Sequence, residues 1–334
     1  MSKYLIVGDS HWGISGCNQS MIEQNIRVWE YIFNIAKDYQ VDAIIDCGDF
    51  LDKRKEIDAN LLDIINKNVM EKLPCHLYLT VGNHNLYYRD NSLVNNISIF
   101  QKMFPNNVTV IDKFISIGTI DIIPWVNKDN VEDITKRILS STNLYCIGHF
   151  ELSGFPFDKV REATVNEERI SKSLLSKTYK KVFSGHYHIR SEKDNILYVG
   201  TPHQLTWIDE GVEKYIYILD DVIGDLVELV MPFEMFKQVE VNDDNWKEVC
   251  NDNLKGKKVR VIYEDLKAFN DIQTQFIQIN PDIQFIKKNN QKVKEVEIKL
   301  DESKSLLESI LDYVNNIKPE NQDKIESLIK KVYN

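Results

Sequence analysis

Paired cysteines are missing from this 334-residue sequence. Cys17, Cys47, Cys75, Cys146 and Cys250 are scattered without a CxxC, which argues against a thiolate zinc cluster or a disulfide framework. They read as small buried hydrophobes. No apolar run reaches the roughly 18 residues of a membrane-spanning helix, and residues 1–3 lead into a short apolar segment without signal-peptide architecture. A cytosolic protein is expected. Basic charge is also short, with 41 Lys+Arg against 51 Asp+Glu and a net charge of -10, so nothing draws the whole molecule to a polyanion. Nucleic acid would have to be held by a local basic patch, metal ions or a partner. Internal repeats and low-complexity tracts are absent. With 43% hydrophobic and 28% charged residues, the chain fits one large globular domain with appendages.

Up to about residue 205, short β-rich runs at 3–9, 41–49, 76–84, 144–152, 180–188 and 196–200 alternate with amphipathic stretches, the pattern of a layered α/β protein. A helix over 21–39 sets Ile22, Ile26, Trp29, Ile32, Phe33 and Ala36 at three-to-four spacing, and one over 58–72 turns Leu61, Leu62, Ile64, Ile65 and Val69 toward the core. A hairpin-like region at 108–124 and strands at 214–219 and 225–230 make the sheets partly antiparallel. The expectation is two packed β-sheets flanked by helices over residues 1–232. A small α+β capping domain, expected to bind DNA, should follow over 233–300, with strands at 259–263, 283–287 and 293–300 and a helix at 267–279. Residues 301–334 read as a helical tail that breaks at Pro319. Its apolar face either packs on the chain itself or binds a partner.

Histidine is scarce, and its placement is informative. Of seven, five stand at the expected ends of strands: His11, His84, His149, His186 and His188. Groups just beyond the carboxyl ends of strands in an open α/β sheet converge on one edge. Asp9 and His11 follow the first strand, Asp49 and Asp52 the second, Asn83 and His84 the third, His149 the fourth, and His186 with His188 the fifth. Glycine precedes each set, at Gly8, Gly48, Gly82, Gly148 and Gly185, read here as room for a sharp turn. Any one of these residues alone is more simply a hydrogen-bonded core group or a helix cap. Two carboxylates, an amide and four imidazoles together cannot be buried without something cationic. A pair of divalent ions meets that need, and mixed N and O ligands without thiolate suit Mn²⁺, Fe²⁺ or Zn²⁺. Two-metal phosphoester hydrolysis is the matching chemistry.

The motifs DSH at 9–11, GDFLD at 48–52, GNHN at 82–85, GHFEL at 148–152, GHYH at 185–188 and GTP at 200–202 occur in an order that resembles the calcineurin-like metallophosphoesterase superfamily. Within it, the layout is similar to the SbcD-type nuclease subunits, most of all the short phage recombination endonuclease subunits that pair with an SMC-like ATPase. The resemblance implies a metallophosphoesterase sandwich with one metal on Asp9, His11, Asp49 and His188, and a second on Asp49, Asn83, His149 and His186. Asp49 would be the bridge. It implies two Mn²⁺, with Mg²⁺ possible, and His84 as the unmetallated general acid that protonates a leaving 3′ oxygen. It further implies 3′ to 5′ exonuclease and endonuclease activity on DNA in recombination and double-strand-break repair, acting in a host cytoplasm if phage-encoded. The partner would be an SbcC-type ATPase docked on residues 301–334, with a homodimer inside a heterotetramer. The apolar stretch 93–104 is a candidate dimer surface.

One letter departs from the family pattern. GNHD is usual, its aspartate supporting the catalytic imidazole, whereas this chain has Asn85. An amide supplies no negative charge, so catalysis by this chain is expected to be attenuated, whether Asn85 is natural or introduced. Lys53, Arg54 and Lys55 follow the GDFLD motif and are candidate DNA-phosphate contacts. Two other functions fit the same residues: a phosphatase of this fold on a small phosphoester, and a weakened subunit that binds DNA or partner because of Asn85.

Overall fold

The strands form wherever β-branched and aromatic residues run together, and they stop where glycine and polar residues begin. A computed structural model of the chain describes residues 2–88, 90–159, 161–165 and 169–288. Its strands are β1 (Lys3–Val7), β2 (Ala43–Asp46), β3 (His76–Thr80), β4 (Val108–Ile111), β5 (Ile115–Ile117), β6 (Ile120–Ile123), β7 (Tyr145–His149), β8 (Lys181–Gly185), β9 (Ser191–Lys193), β10 (Ile196–Tyr198), β11 (Tyr215–Asp220), β12 (Leu226–Val230), β13 (Phe236–Val241), β14 (Lys258–Tyr263) and β15 (Ile283–Lys287). One six-stranded sheet has the order β12-β11-β1-β2-β3-β4, the other β5-β6-β7-β8-β10-β9. β1 to β4 are mutually parallel, as are β6, β7, β8 and β10, while β11, β12, β5 and β9 join antiparallel.

Alternation along each strand sorts side chains between two apolar layers. In β1, Tyr4 and Ile6 point between the sheets, where they meet Ile45, Ile122, Ile147, Phe183, Leu197 and Tyr217. Leu5 and Val7 point the other way, onto Trp29, Ile32 and Phe33 of the helix Gln19–Asp38. The outer face of the second sheet is covered by the helices Val131–Ser140 and Lys172–Thr178 through Ile134, Ile138 and Leu175. Each fully buried aliphatic or Phe side chain contributes about 1.5–3 kcal/mol. The layer between the sheets thus fixes the strand ends relative to one another. Asn18 caps its helix at Ser20 N, 3.1 Å, and Asp58 caps Ala59–Asn68 at Leu61 N, 2.9 Å.

The strands carrying the histidine and aspartate motifs end sooner than expected, because most motif residues leave the ladder as loops, His149 being the one ligand that stays in its strand. The hairpin-like stretch 108–124 divides between the sheets: β4 lies beside β3, and only β5 and β6 form a hairpin. In the small α+β unit the strand order is β13-β14-β15, with Val241, Val259 and Val261 packed on Ile272 and Phe276 of the helix Phe269–Ile279. This unit is continuous with the large sheets in one compact body, Met1–Ile286. The expected strand at 293–300 and the tail at 301–334 lie outside the described residues.

Candidate metal centre

The loops after β1, β2, β3, β7 and β8 meet at one edge and are tied to each other by main-chain hydrogen bonds. His11 N donates to Asp49 O at 3.0 Å and Trp12 N to Phe50 O at 2.8 Å. His84 N donates to Asp49 Oδ1 at 2.7 Å, and His186 N to Asp9 Oδ2 at 2.8 Å. Each carboxylate therefore has one oxygen committed to a neighbouring loop and one turned inward. Of the five motif glycines, Gly48 (φ 115) takes the turn conformation expected of them, and the others act differently. At Gly8, Gly82 and Gly185 a Cβ would lie 1.7 Å from Gly200 O, 2.2 Å from Asp49 Oδ1 and 2.3 Å from Asp9 Oδ1, so they are needed for close approach. Positive φ is taken also by His11 (φ 43), Asp49 (φ 55) and His186 (φ 91), the site residues themselves.

Two groups of potential ligand atoms result, Asp9 with His11 and His188, and Asp49 with His149 and His186. The inward oxygen of Asp49 lies 3.2 Å from His149 Nε2 and 4.0 Å from His11 Nε2, which sets it between the groups. His149 Nδ1 donates to Cys47 O at 3.0 Å, so Nε2 is the nitrogen turned toward Asp49 and the one an ion would displace a proton from. Asn83 Oδ1 lies 2.9 Å from that Nε2 and 3.0 Å from His186 Nδ1. With its oxygen inward, Asn83 adds an acceptor beside these ring nitrogens, an arrangement that a bound cation or a proton on the rings reconciles. With the amide turned over, its NH₂ donates to the same atoms and its oxygen accepts from Arg54 at 3.2 Å.

Burial and charge point the same way. Asp9, His11, Asp49 and His149 are almost wholly buried, and Asp9 Oδ1 and His11 Nε2 have no hydrogen-bond partner. Such orphaned atoms are costly in a protein interior unless an ion satisfies them. Burial raises the Asp9 carboxyl to about 6. Burial acts in the same direction on Asp49, yet the imidazoles around it, His149 first, hold its carboxyl far below the usual range. Burial disfavours a charged His149, but Asp49 and Asp9 outweigh it and lift the ring to about 9. His186 and His188 are pushed down by burial. The donor set of carboxylates, imidazoles and one amide fits borderline divalent ions.

His84 stands beside these groups with its side chain 36% exposed, its ring edge-on to His11 at 4.9 Å between centroids. Its Nδ1 donates to the main-chain oxygen of Asp52 at 2.6 Å. Asn85 departs from the ring-supporting part expected of it. Its Oδ1 accepts from Asp49 N at 3.0 Å and Gly82 N at 2.9 Å, and its Nδ2 donates to Asn96 Oδ1 at 3.3 Å. Asn85 is a buried clamp between two ligand loops, and its amide bonds to main chain and to Asn96 rather than to the His84 ring.

Of the three basic residues after GDFLD, Arg54 alone reaches the site, through Asn83. Lys53 pairs with Glu56 at 2.5 Å, and Lys55 lies over the Tyr87 ring at 5.4 Å. In the stretch 93–104, Ile97 and Phe100 are core residues whereas Leu93, Val94 and Met103 are exposed. Several contributors went unassigned from the sequence. The Asp52 carboxylate lies 3.0 Å from His11 Nδ1, Glu151 lies 3.8 Å from His186 Nε2, and Lys214 Nζ donates to His188 O at 2.9 Å. Trp125 packs its ring on His149 and His186. Asp52 and Glu151 sit inside the motifs GDFLD and GHFEL, so they were findable; Lys214 and Trp125 carry no local signal.

Residues 2–216 match the calcineurin-like phosphoesterase family. The chain belongs to that family. Exonuclease subunit 1 of Enterobacteria phage T4 is 31% identical to it over 224 residues, a match covering 65% of this calcineurin-like phosphoesterase and 64% of the phage protein, just under two thirds of that relative's length. Among the described residues no helix is long and apolar enough to cross a membrane.

Proposed function

We propose that the protein is a metal-dependent DNA nuclease, a 3′ to 5′ exonuclease and endonuclease, serving as one subunit of a recombination and double-strand-break repair complex. The observation that carries this reading is the inward oxygen of Asp49 set between two ligand groups, with a free imidazole pole, His84 Nε2, at their open side. Asp9, His11, Asp49 and His188 would hold one ion, and Asp49, Asn83, His149 and His186 a second. Two Mn²⁺, or Mg²⁺ in their place, would supply an activated water and neutralise phosphodiester charge.

The chain's own residues do the rest. The Asp52 carbonyl keeps the Nδ1 proton of His84 occupied, so Nε2 is the pole that carries a proton to the leaving 3′ oxygen. Arg54, beside Asn83, is the cation best placed to hold a substrate phosphate. Trp125, packed on two imidazoles, limits their rotation and screens that flank from water. The relative named as an exonuclease subunit supports exonuclease action and a multi-subunit setting.

Under this reading an SMC-like ATPase, docked on residues 301–334, supplies the basic surface that a chain of net charge -10 lacks. A homodimer inside the assembly, formed in part by residues 93–104, and action in a host cytoplasm complete the proposal. The test is hydrolysis of 3′-ended duplex DNA with Mn²⁺, alongside bis(p-nitrophenyl) phosphate and the monoester. The reading expects diester and DNA cleavage that His84→Ala removes while ion binding persists. Turnover of the monoester alone, or no cleavage by any assembly with the ATPase, would overturn it. Removing residues 301–334 should keep diester hydrolysis and abolish co-purification with the ATPase.

A further inference from the structure

Asp52 joins two imidazoles that the proposed chemistry uses in different ways. Its Oδ1 lies 3.0 Å from His11 Nδ1, and its main-chain oxygen lies 2.6 Å from His84 Nδ1. Its own N–H donates to Trp12 O at 3.0 Å, so the residue is anchored to the loop that carries His11. A carboxylate and a carbonyl can only accept, which obliges each ring to carry its proton on Nδ1. The opposite nitrogen of each ring then bears the lone pair. For His11 that nitrogen is the buried, unpartnered Nε2 beside Asp9 and His188. For His84 it is the pole on the part-exposed side of the ring.

We propose that Asp52 is a positioning residue that fixes the tautomers of two rings at once, His11 as a ligand through its carboxylate and, through its carbonyl, His84 with Nε2 free to take up the proton that it passes to the leaving oxygen. The inference rests on the proposed metal reading for the role of His11 but not for its tautomer. The two halves are separable, because a side-chain substitution removes the carboxylate and keeps the carbonyl. Asp52→Ala should therefore disturb His11 and spare His84. Asp52→Asn keeps an acceptor oxygen for His11 Nδ1 and should restore most of what the alanine loses. The Asp52 side chain is 24% accessible, a rim group rather than a core one, and both variants should fold.

The experiment uses the full chain labelled with ¹⁵N-histidine. Two-bond ¹H–¹⁵N spectra of the metal-free protein read each ring's tautomer, and Mn²⁺ titration followed by electron paramagnetic resonance counts ions and their affinities. The wild type should show His11 and His84 protonated on Nδ1. In Asp52→Ala, His11 should lose that single tautomer, His84 should keep it, and one of two ions should bind about 10- to 100-fold more weakly, the usual loss on removing a ligand's supporting group. Asp52→Asn should return the His11 tautomer and most of the affinity. An unchanged His11 tautomer in Asp52→Ala, or two ions bound at wild-type affinity, overturns the inference. A wild type that binds no Mn²⁺ while the His11 tautomer still responds to Asp52→Ala overturns the metal reading and upholds the positioning.

Discussion

Replacing Asn85 tests whether two ligand loops depend on a single amide. Its side chain is fully buried, and Oδ1 alone accepts from the Asp49 and Gly82 N–H groups, at 3.0 and 2.9 Å. In Asn85→Ala both donors lose their acceptor in a place water does not reach. A buried unsatisfied backbone donor costs about 1–3 kcal/mol, so the pair costs about 2–6 kcal/mol. Asn85→Asp keeps both acceptors and should retain the fold. Because the His84 ring is held by the Asp52 carbonyl, the aspartate should also leave turnover short of a tenfold gain, which would need about 1.4 kcal/mol of extra transition-state stabilisation. Urea titration followed by tryptophan fluorescence reads the first effect as a lower midpoint at unchanged slope, and Mn²⁺ affinity should fall with it in the alanine variant. An unmoved midpoint in Asn85→Ala would refute the clamp, and a tenfold faster Asn85→Asp enzyme would return the residue to a ring-supporting role.

The remaining expectations concern pH, packing and metal. Burial pushes His203 down to about 4 against about 6.5 in the unfolded chain, so between those values the unfolded state binds the extra proton and stability rises with pH. The total loss on acidification through that window is about 3 kcal/mol, and a pH series of urea titrations on His203→Gln should show that segment flattened. Gly8→Ala would bring a Cβ to 1.7 Å from the Gly200 carbonyl oxygen; the loops must part, costing at or above about 3 kcal/mol, visible as a lower melting temperature or loss of soluble protein. Mn²⁺ at 100 times its dissociation constant should stabilise the fold by about 2.7 kcal/mol per site, reversed by chelator, and calorimetry showing no shift would count against both ion sites.

Much of this was legible in the sequence because strand ends converge in an open α/β sheet whatever lies between them. Asp9, His149 and His186, more than 100 residues apart along parts of the chain, meet through a topology that alternation and glycine placement announce. The helices around Trp29 and Leu61 declared themselves by periodicity and by their Asn18 and Asp58 caps. What escaped has a common cause, since hydrogen bonds across loops leave no periodic trace. The destination of the Asn85 amide and the pairing of Asp52 with His11 depend on rotamers and loop register, which residue letters do not encode. The division of 108–124 between two sheets likewise turns on a crossing only a few residues long, where every residue type is compatible with a simple hairpin.

His11, Asp49 and His186 occupy a backbone region that glycine tolerates far better than they do. The fold therefore carries a standing tension at the residues it needs for chemistry, held by the rigid apolar layer beneath them. A glycine at position 186, with φ near 91, would let the main chain relax while deleting an ion-binding ring. Such a variant would be sturdier and inert, so these three positions are where this chain gives up durability for reactivity.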